Sequence, residues 1–336
     1  MVEVIPDRKV YRAVMLAIFT MLYSLITVCK VTAQQLPVNS QYTINKYLIN
    51  PAVAGHEGYT EFNLSAREQW IGMKDSPKTH AFSFNTRVLP DSYINRILYI
   101  RRKKLQPSRI SKVGLGGYVF NDRTGLVSRT GLRFTYAYHI NIKEGQLSFG
   151  LSGNLYPFKL DQQDFRSYEQ DDPLLTNANY TAIIPDADAG VYYSDENMYS
   201  GFSVAYLLQS SFTFGNQGFE NYRLRRHYYM MGGYKYKRIE DFIIEPNILI
   251  KVSESPRFQM DLGVKINNLE RYWGGLAYRT GGTLVFMGGV RVDKFYFGYS
   301  FDLALTSLIK HSYGSHEFIL ALKLGDNARR YRWVKD

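Results

Sequence analysis

Apolar and polar residues alternate along most of this chain with a period of two. In residues 128–141, for example, Phe134 and Tyr136 share one face, while Arg133 and Thr135 share the other. A period of two places successive side chains on opposite faces of a β-strand, whereas a helix would scatter the same residues around its circumference. The pattern therefore predicts a fold built of β-strands.

Fourteen blocks of the sequence fit this alternation, and turn-forming residues separate them. The blocks are residues 59–68, 78–88, 112–121, 128–141, 145–158, 187–194, 197–208, 226–237, 242–252, 257–266, 271–280, 283–292, 294–303 and 314–324. Many have the roughly 9 to 11 residues with which a tilted strand crosses a bilayer, and exceed the about 5 to 6 residues of typical sandwich strands. The sequence has no internal repeat of the length of a propeller blade, which argues against a β-propeller. We therefore predict an all-β fold, a transmembrane antiparallel β-barrel of about 14 strands, with the N-terminal segment entering the lumen.

The predicted connections alternate in length as they do in outer-membrane barrels, where short turns lie on the periplasmic side and long loops lie outside. Five of the six inner connections are short, namely 142–144, 195–196, 238–241, 267–270 and Asp293. The long outer connections are 159–186, 209–225 and 304–313. We therefore expect the protein in the cell outer membrane, in contact with outer-membrane lipid.

One inner connection is an exception, because residues 89–111 are long and carry a net charge of +5. The C-terminal residues 325–336 are also basic and would leave the barrel on the same side. Such clusters suit a periplasmic partner or anionic headgroups, although an ordinary solvated insertion has the same composition. The residues predicted to bind a partner are Arg101, Arg102, Lys103, Lys104, Arg109, Arg329, Arg330 and Arg332.

The first residues have the features of a secretory signal. Basic residues precede an apolar stretch at 13–28, and small residues follow it up to Ala33. This pattern predicts cleavage after Ala33, whereas a transmembrane anchor would need a longer apolar run. The only cysteine, Cys29, lies within this leader, so the mature chain would have no disulfide. The predicted organisation is a signal peptide at 1–33, an N-terminal periplasmic or lumenal segment at 34–58, a barrel at 59–324 and a basic periplasmic tail at 325–336.

The positions of the basic residues argue against a nucleic-acid partner. The 336 residues include 28 Tyr and 20 Phe and carry a net charge of +11. A basic chain often binds nucleic acid, but here the basic residues are spread along the predicted strands of an exported chain that has no recognisable binding module. We therefore predict no nucleic-acid partner, while the aromatic residues suit the two interfaces of a bilayer.

The predicted inward face carries charges of both signs, which suggests a lumen partly filled by side chains and by residues 34–58. We therefore expect poor conductance. The inward-facing charged set is Arg67, Arg87, Arg133, Glu245, Lys251, Arg257, Asp261, Lys265, Arg291, Asp302, Glu317 and Lys323.

The sequence offers little for catalysis. Ser315, His316 and Glu317 are the closest candidate cluster, but neighbouring residues on a strand point to opposite faces, which separates His316 from the other two. The acidic residues Asp186 and Asp188 lack the spacing of a calcium loop. We predict no enzyme activity, no cofactor and no bound metal.

The start of the predicted mature chain carries a long motif. Residues 39–55 read Asn-Ser-Gln-Tyr-Thr-Ile-Asn-Lys-Tyr-Leu-Ile-Asn-Pro-Ala-Val-Ala-Gly, and shorter motifs follow at 67–70, 273–279, 298–302 and 314–317. This opening segment and the order of the motifs resemble the PorP/SprF family of type IX secretion outer-membrane proteins over residues 38–324. The motif residues are Gln41, Tyr42, Asn45, Asn50, Pro51, Ala52, Gly55, Trp70, Gly314, Ser315, His316 and Glu317. Ile44, Lys46 and Val53 depart from the residues common in that family.

The resemblance implies a non-enzymatic outer-membrane component of the type IX secretion and gliding machinery of Bacteroidota. In the PorP-like branch, it implies a link to the periplasmic ring proteins and their peptidoglycan-associated lipoprotein. In the SprF-like branch, it implies export or surface attachment of one secreted adhesin, with specificity in the outer loops. The basic inner surface favours the first branch. Two alternatives are a channel resembling the fourteen-stranded long-chain fatty-acid transporters and an outer-membrane hydrolase that uses Ser315 and His316.

Overall fold

The computed structural model describes residues 39–88, 112–125, 127–142, 145–160, 181–214, 220–239, 242–254, 257–268 and 271–325. Its strands are β1 (Thr60–Glu68), β2 (Lys78–Arg87), β3 (Val113–Thr124), β4 (Val127–Ile142), β5 (Gly145–Leu160), β6 (Thr181–Ser194), β7 (Met198–Ala205), β8 (Ser211–Phe214), β9 (Glu220–Arg223), β10 (His227–Tyr234), β11 (Tyr236–Ile239), β12 (Phe242–Ser253), β13 (Arg257–Asn268), β14 (Tyr272–Arg279), β15 (Thr283–Val292), β16 (Phe295–Ala304) and β17 (Ser315–Leu324). Short 3₁₀-helices occur at η1 (Lys46–Leu48), η2 (Pro51–Val53) and η3 (Ser307–Lys310). Within the described ranges, no helix combines the length and the apolar character that crossing a membrane requires.

A single antiparallel sheet closes on itself. The first strand, β1, pairs with β2 on one side and with the last strand, β17, on the other. The ring is completed by β10, which pairs with both β7 and β12. The strands β10 and β11 are two parts of one strand interrupted at Lys235, and both pair with β12. Counted as one, they give a closed barrel of 14 strands, which confirms the predicted fold class.

Besides the break at Lys235, the main differences from the sequence-based prediction lie in three regions. The strand expected at 187–194 begins six residues earlier, at Thr181. The connection expected at 209–225 contains a separate hairpin of β8 and β9, and the one expected at 304–313 contains η3. The strands β8 and β9 have only four residues each, which is too short for an alternating pattern to be visible in the sequence.

The two ends of the barrel have connections of different length. At the short-turn end, consecutive strands are separated only by 143–144, 195–197, 240–241, 269–271 and 293–294. At the loop end, the longer connections are 69–77, 161–180, 206–226 and 305–314. The short turns predicted for the inner side therefore lie at one end of the barrel, and β17 finishes at that same end.

The two faces of the barrel wall differ in chemistry. Large apolar side chains cover the outside, where Phe134, Leu151 and Phe318 are 68%, 60% and 60% exposed. The inside carries buried polar and charged residues, among them Asp261 and Glu317. An apolar outer surface of this extent is stable only when hydrocarbon surrounds it, because it would be costly in water.

Candidate functional site

Residues 39–58, called the lumenal segment, run through the inside of the barrel and contact opposite walls. The hydroxyl of Tyr42 donates to Oδ1 of Asn247 on β12 at 2.8 Å, and Nδ2 of Asn45 donates to Oγ of Ser83 on β2 at 2.8 Å. On a third side, the hydroxyl of Tyr47 is 2.8 Å from Oγ1 of a threonine on β4. The chain therefore occupies its own lumen, as the sequence predicted for the fold.

Glycines on the inner wall give the lumenal segment its space. Gly150 on β5 lies against Pro51 and Ala52, and Gly114 on β3 lies against the carbonyl group of Ala54. A Cβ atom at either glycine would overlap the backbone of the segment. The absence of a side chain at these two positions therefore makes room for the lumenal segment.

Asn50 joins the lumenal segment to two strands and is fully buried. Its Nδ2 donates to the backbone carbonyl groups of Val191 on β6 at 2.9 Å and of Phe202 on β7 at 3.3 Å. Its Oδ1 accepts from the N–H of Ala52 at 2.9 Å and thereby caps η2, which begins with Pro51. One amide therefore fixes both the local fold of the segment and its position against the wall.

A buried cluster of charges holds the beginning of the lumenal segment. The N–H of Ser40 donates to Oε2 of Glu317 at 2.8 Å, and its hydroxyl donates to Oδ2 of Asp302 at 2.7 Å. Arg67 bridges the same two carboxylates, at 2.9 Å from Glu317 and 2.7 Å from Asp302. Arg279 adds a second guanidinium group 2.9 Å from Asp302. Alternating charges at hydrogen-bonding distance offset part of the cost of burying them.

The motif at 314–317 lies at this cluster. The carboxylate of Glu317 accepts the N–H of Gln41 at 3.3 Å, and its backbone carbonyl accepts from Nε2 of Gln41 at 3.0 Å. Ser315 accepts the N–H of Trp70 at 3.1 Å. Gly314 has a φ of +88°, in the left-handed region that favours glycine. Two motifs separated by 276 residues in sequence are therefore one contact in the structure.

His316 lies on the opposite face of β17 from Ser315. Its Nδ1 is 2.7 Å from the hydroxyl of Tyr299, and its ring lies 5.1 Å from that of Phe301, both of which belong to the outer wall. Ser315 and Glu317 are buried on the lumenal side. These three residues form no nucleophile and base pair, as the strand geometry predicted.

The end of the lumenal segment turns towards β1 at Gly55 and His56. Gly55 has a φ of +68°, and its N–H donates to Oδ1 of Asn85 at 3.0 Å. The ring of His56 lies between Ser148 and Ser194, with Nδ1 at 3.2 Å and Nε2 at 2.6 Å from their hydroxyl oxygens. The sequence singled out Gly55 but gave no sign of this serine pair, which comes from β5 and β6.

Lys46 is the cationic residue of the lumenal segment between Ser40 and Gly55. Its Nζ lies 3.5 Å from the ring centroid of Tyr199 and 3.9 Å from Oε1 of Glu245. Burial lowers the pKa of Lys46 to about 7, and the nearby carboxylate of Glu245 opposes that change.

The acidic residues considered for calcium have another role. Asp186 accepts the N–H of Leu208 at 3.0 Å, and Asp188 accepts the N–H of Tyr206 at 3.1 Å. They therefore tether the connection 206–226 to β6. Over the ranges given above, no group of three or more His, Cys, Asp or Glu is placed to hold a metal ion.

The predicted partner-binding residues lie outside the described residues. This applies to Arg101, Arg102, Lys103, Lys104 and Arg109, and to Arg329, Arg330 and Arg332 in the tail. The flanking strands are described. The stretch 89–111 lies between the end of β2 at Arg87 and the start of β3 at Val113, and the tail follows the end of β17 at Leu324. All three strand ends lie at the short-turn end of the barrel.

The closed sheet, its apolar outer wall and the occupied lumen define a transmembrane β-barrel protein. The family model described as "Type IX secretion system membrane protein PorP/SprF" matches residues 31–322. The chain belongs to this family.

The solved structures that are similar to this chain have low sequence identity to it. The toluene transporter TbuX of Ralstonia pickettii is 11% identical, with 82% of this chain and 92% of that chain covered and a TM-score of 0.45. The toluene transporter TodX of P. putida is 9% identical, with 84% and 94% covered and a TM-score of 0.44. No curated protein matches the chain.

Proposed function

We propose that this protein is a PorP-like, non-enzymatic component of the type IX secretion and gliding machinery in the outer membrane. In this role it links the outer membrane to the periplasmic ring proteins and the peptidoglycan-associated lipoprotein. We place the short-turn end in the periplasm, because short turns face that side in outer-membrane barrels. The mature chain would begin after Ala33.

The observation that carries this proposal is that the two basic stretches leave the barrel at the same end. Residues 89–111 connect β2 to β3, and residues 325–336 follow β17, so both start from the short-turn end. Residues 89–111 carry a net charge of +5. In the proposed orientation, both stretches reach the periplasm, where a partner with an acidic surface would be attracted to them.

The lumenal segment supports a docking role over a transport role. A lumen of 14 strands is wide enough for water, but here residues from Ser40 to His56 bond to the inner wall. The motif residues Gln41, Asn45 and Asn50 hold this segment in place. We infer that these residues keep the lumen filled by the segment and are not themselves a docking surface for a partner.

Charge reversal tests the proposed link. Changing Arg101, Arg102, Lys103 and Lys104 to Glu should greatly reduce the recovery of the periplasmic ring proteins when the protein is affinity-purified from native membranes. The matched control reverses four exposed basic residues at the loop end, Lys74, Arg123, Arg225 and Lys310, and should leave recovery unchanged. Equal recovery with both variants would contradict the proposal.

The SprF-like alternative has one structural observation in its favour. The described residues of the connection 206–226 include the paired strands β8 and β9, and the N–H groups of Tyr206 and Leu208 are held by Asp188 and Asp186. A shaped surface at the loop end would suit recognition of a secreted adhesin. Replacing 209–225 by the corresponding loop of a relative should then change which adhesin reaches the cell surface, whereas the PorP-like role predicts no such change.

A further inference from the structure

The lumenal segment passes through the barrel from one end to the other. Near its beginning, Ser40 bonds to Glu317, the third residue of β17, which starts at the loop end. Near its end, His56 lies 2.6 Å from the hydroxyl oxygen of Ser194, the last residue of β6, which finishes at the short-turn end. Between these two points, Asn45 contacts the middle of β2. The segment therefore runs from the loop end to the short-turn end.

The beginning of the segment is held close to the loop-end opening. The hydroxyl of Ser40 donates to Asp302, the third residue from the end of β16, at 2.7 Å. The same hydroxyl oxygen accepts from Arg67 at 3.0 Å and from Arg279 at 3.1 Å. These two arginines lie at the last two positions of β1 and at the last position of β14, and both strands finish at the loop end. The preceding residue, Asn39, is partly exposed.

The backbone of the segment finds partners along this path. Irregular backbone at membrane depth is tolerated only where protein or water satisfies its N–H and C=O groups. The carbonyl group of Ile49 accepts from the hydroxyl of Ser203 at 2.8 Å, and that of Ala54 lies 3.0 Å from Nε2 of His139. The helices η1 and η2 bond part of the remaining backbone internally. The segment is therefore suited to cross the membrane inside the barrel.

The number of crossings decides on which side the chain begins. The first strand starts and the last strand finishes at the short-turn end, as an even number of antiparallel strands requires. The lumenal segment precedes the first strand and adds one more crossing. The beginning of the segment and the end of β17 therefore lie at opposite ends of the barrel.

The proposed mature chain has few residues before this anchor. Residues 34–39 separate the cleavage point after Ala33 from Ser40, which is a length of six residues. An extended chain beside β17 passes from Glu317 beyond Ser315 within three residues, whereas a return to Leu324 takes seven. The same return path contains the rest of the lumenal segment. The short way out of the lumen is the loop-end opening.

We propose that the mature protein begins on the outer surface of the cell and ends in the periplasm, because its lumenal segment crosses the outer membrane. This rests on the proposed function for the orientation of the barrel and for the cleavage after Ala33, but not for the link to ring proteins. The beginning of the chain is then an interaction site for molecules outside the cell. The basic stretches 89–111 and 325–336 are reached only by periplasmic molecules.

Cysteine labelling in intact cells tests the proposal. The only cysteine, Cys29, belongs to the predicted leader, so each single-cysteine variant of the mature protein carries one thiol. The reagent is a maleimide joined to a polyethylene glycol chain too large to cross the outer membrane, and labelling is read as a mobility shift of the denatured protein. Asn39→Cys places the thiol at the beginning of the segment. Glu57→Cys places it at the end, where Glu57 bonds to Lys323 of β17 at 2.9 Å.

The two ends of the segment should react differently. We expect Asn39→Cys to be labelled in intact cells and Glu57→Cys to be labelled only after the outer membrane is permeabilised. The matched controls are Lys310→Cys at the loop end and Lys294→Cys at the short-turn end, both at exposed positions. Lys310→Cys should behave as Asn39→Cys does, and Lys294→Cys as Glu57→Cys does. The unaltered protein should stay unlabelled.

A second measurement covers the case in which the thiol at position 39 is too enclosed to react. A short epitope peptide inserted before Asn39 should be bound by its antibody on intact cells. A shift in electrophoretic mobility on heating identifies the folded variants. Absence of both signals in intact cells, while Lys310→Cys is labelled, would overturn the proposal. Equal labelling of Asn39→Cys and Glu57→Cys in intact cells would also overturn it.

The two proposals fail separately. If labelling follows the expected pattern but the variant reversed at Arg101, Arg102, Lys103 and Lys104 keeps its ring proteins, the proposed link is contradicted while the crossing stands. If that variant loses its ring proteins but neither signal before Ser40 appears in intact cells, the crossing is contradicted while the link stands. Labelling of Lys294→Cys without Lys310→Cys would reverse the orientation and overturn both.

Discussion

The amide of Asn50 makes three hydrogen bonds inside the lumen, two to the wall and one within the lumenal segment. Asn50→Ala would leave the buried carbonyl groups of Val191 and Phe202 without this donor and would uncap η2. We expect a loss of about 2 to 4 kcal/mol in the free energy of unfolding. Denaturant unfolding of the refolded protein in detergent measures it. The control Asn121→Ala alters an exposed side chain and should cost less than about 0.5 kcal/mol.

The lowered pKa of Lys46 predicts that the stability of the protein depends on pH. Burial lowers its pKa from 10.5 to about 7, so between these values the unfolded chain holds a proton that the folded chain lacks. Stability should therefore rise with pH across this window. In Lys46→Met this contribution is absent, so the difference in stability between the variant and the unaltered protein should change steadily from pH 7 to pH 9. Parallel pH profiles for the two proteins would contradict a buried, deprotonating Lys46.

At the scale of single residues, the sequence identified which side chains belong to the motifs but not what they touch. Gln41 precedes the first strand of the barrel and Glu317 lies on the last, and no local sequence pattern links them. Their contact exists because closure brings β17 beside β1 and because the lumenal segment returns along that seam. Ser40 was missed as an anchor, although inward charges such as Arg67 and Asp302 on membrane strands indicated that something polar had to meet them.

Two glycines on β5 test whether the lumenal segment packs against the barrel wall. Gly150 faces the segment and has no room for a Cβ atom, whereas Gly153 faces outward with open space around it. Gly150→Ala should displace residues 51 and 52 from the wall and expose the segment to added protease. Gly153→Ala should have no such effect, although both changes place the same residue in the same strand. Equal protease resistance of the two variants would contradict the packing of the segment on β5.

The elements themselves were largely predictable, because the alternation of apolar and polar residues reports directly on a wall with lipid on one side. The prediction failed where that physical rule does not apply. The strands β8 and β9 form a sheet separate from the barrel wall, and they are too short to show a period. The break at Lys235 leaves the alternation on either side of it intact, so the sequence showed one strand, β10 and β11 together.

For the whole molecule, closure and filling of the lumen are linked. The lumenal segment contacts β2, β4, β6, β7, β12 and β17, so it is in place only when the strands have met around it. We therefore expect the segment to become resistant to protease in the same step in which the barrel acquires its heat-sensitive mobility during refolding. A time course of both signals checks this, and an early, separate protection of the segment would argue against it.

Single-channel recording in a planar bilayer tests most directly whether the protein fills its own lumen. The intact mature protein should show no stable conductance in the nanosiemens range, because residues 39–58 bond to the wall on several sides. A folded variant lacking residues 39–56 should open to such a conductance, since 14 strands enclose a water-filled lumen when nothing occupies it. A stable nanosiemens conductance of the intact protein, or a folded deletion variant that stays closed, would contradict this account.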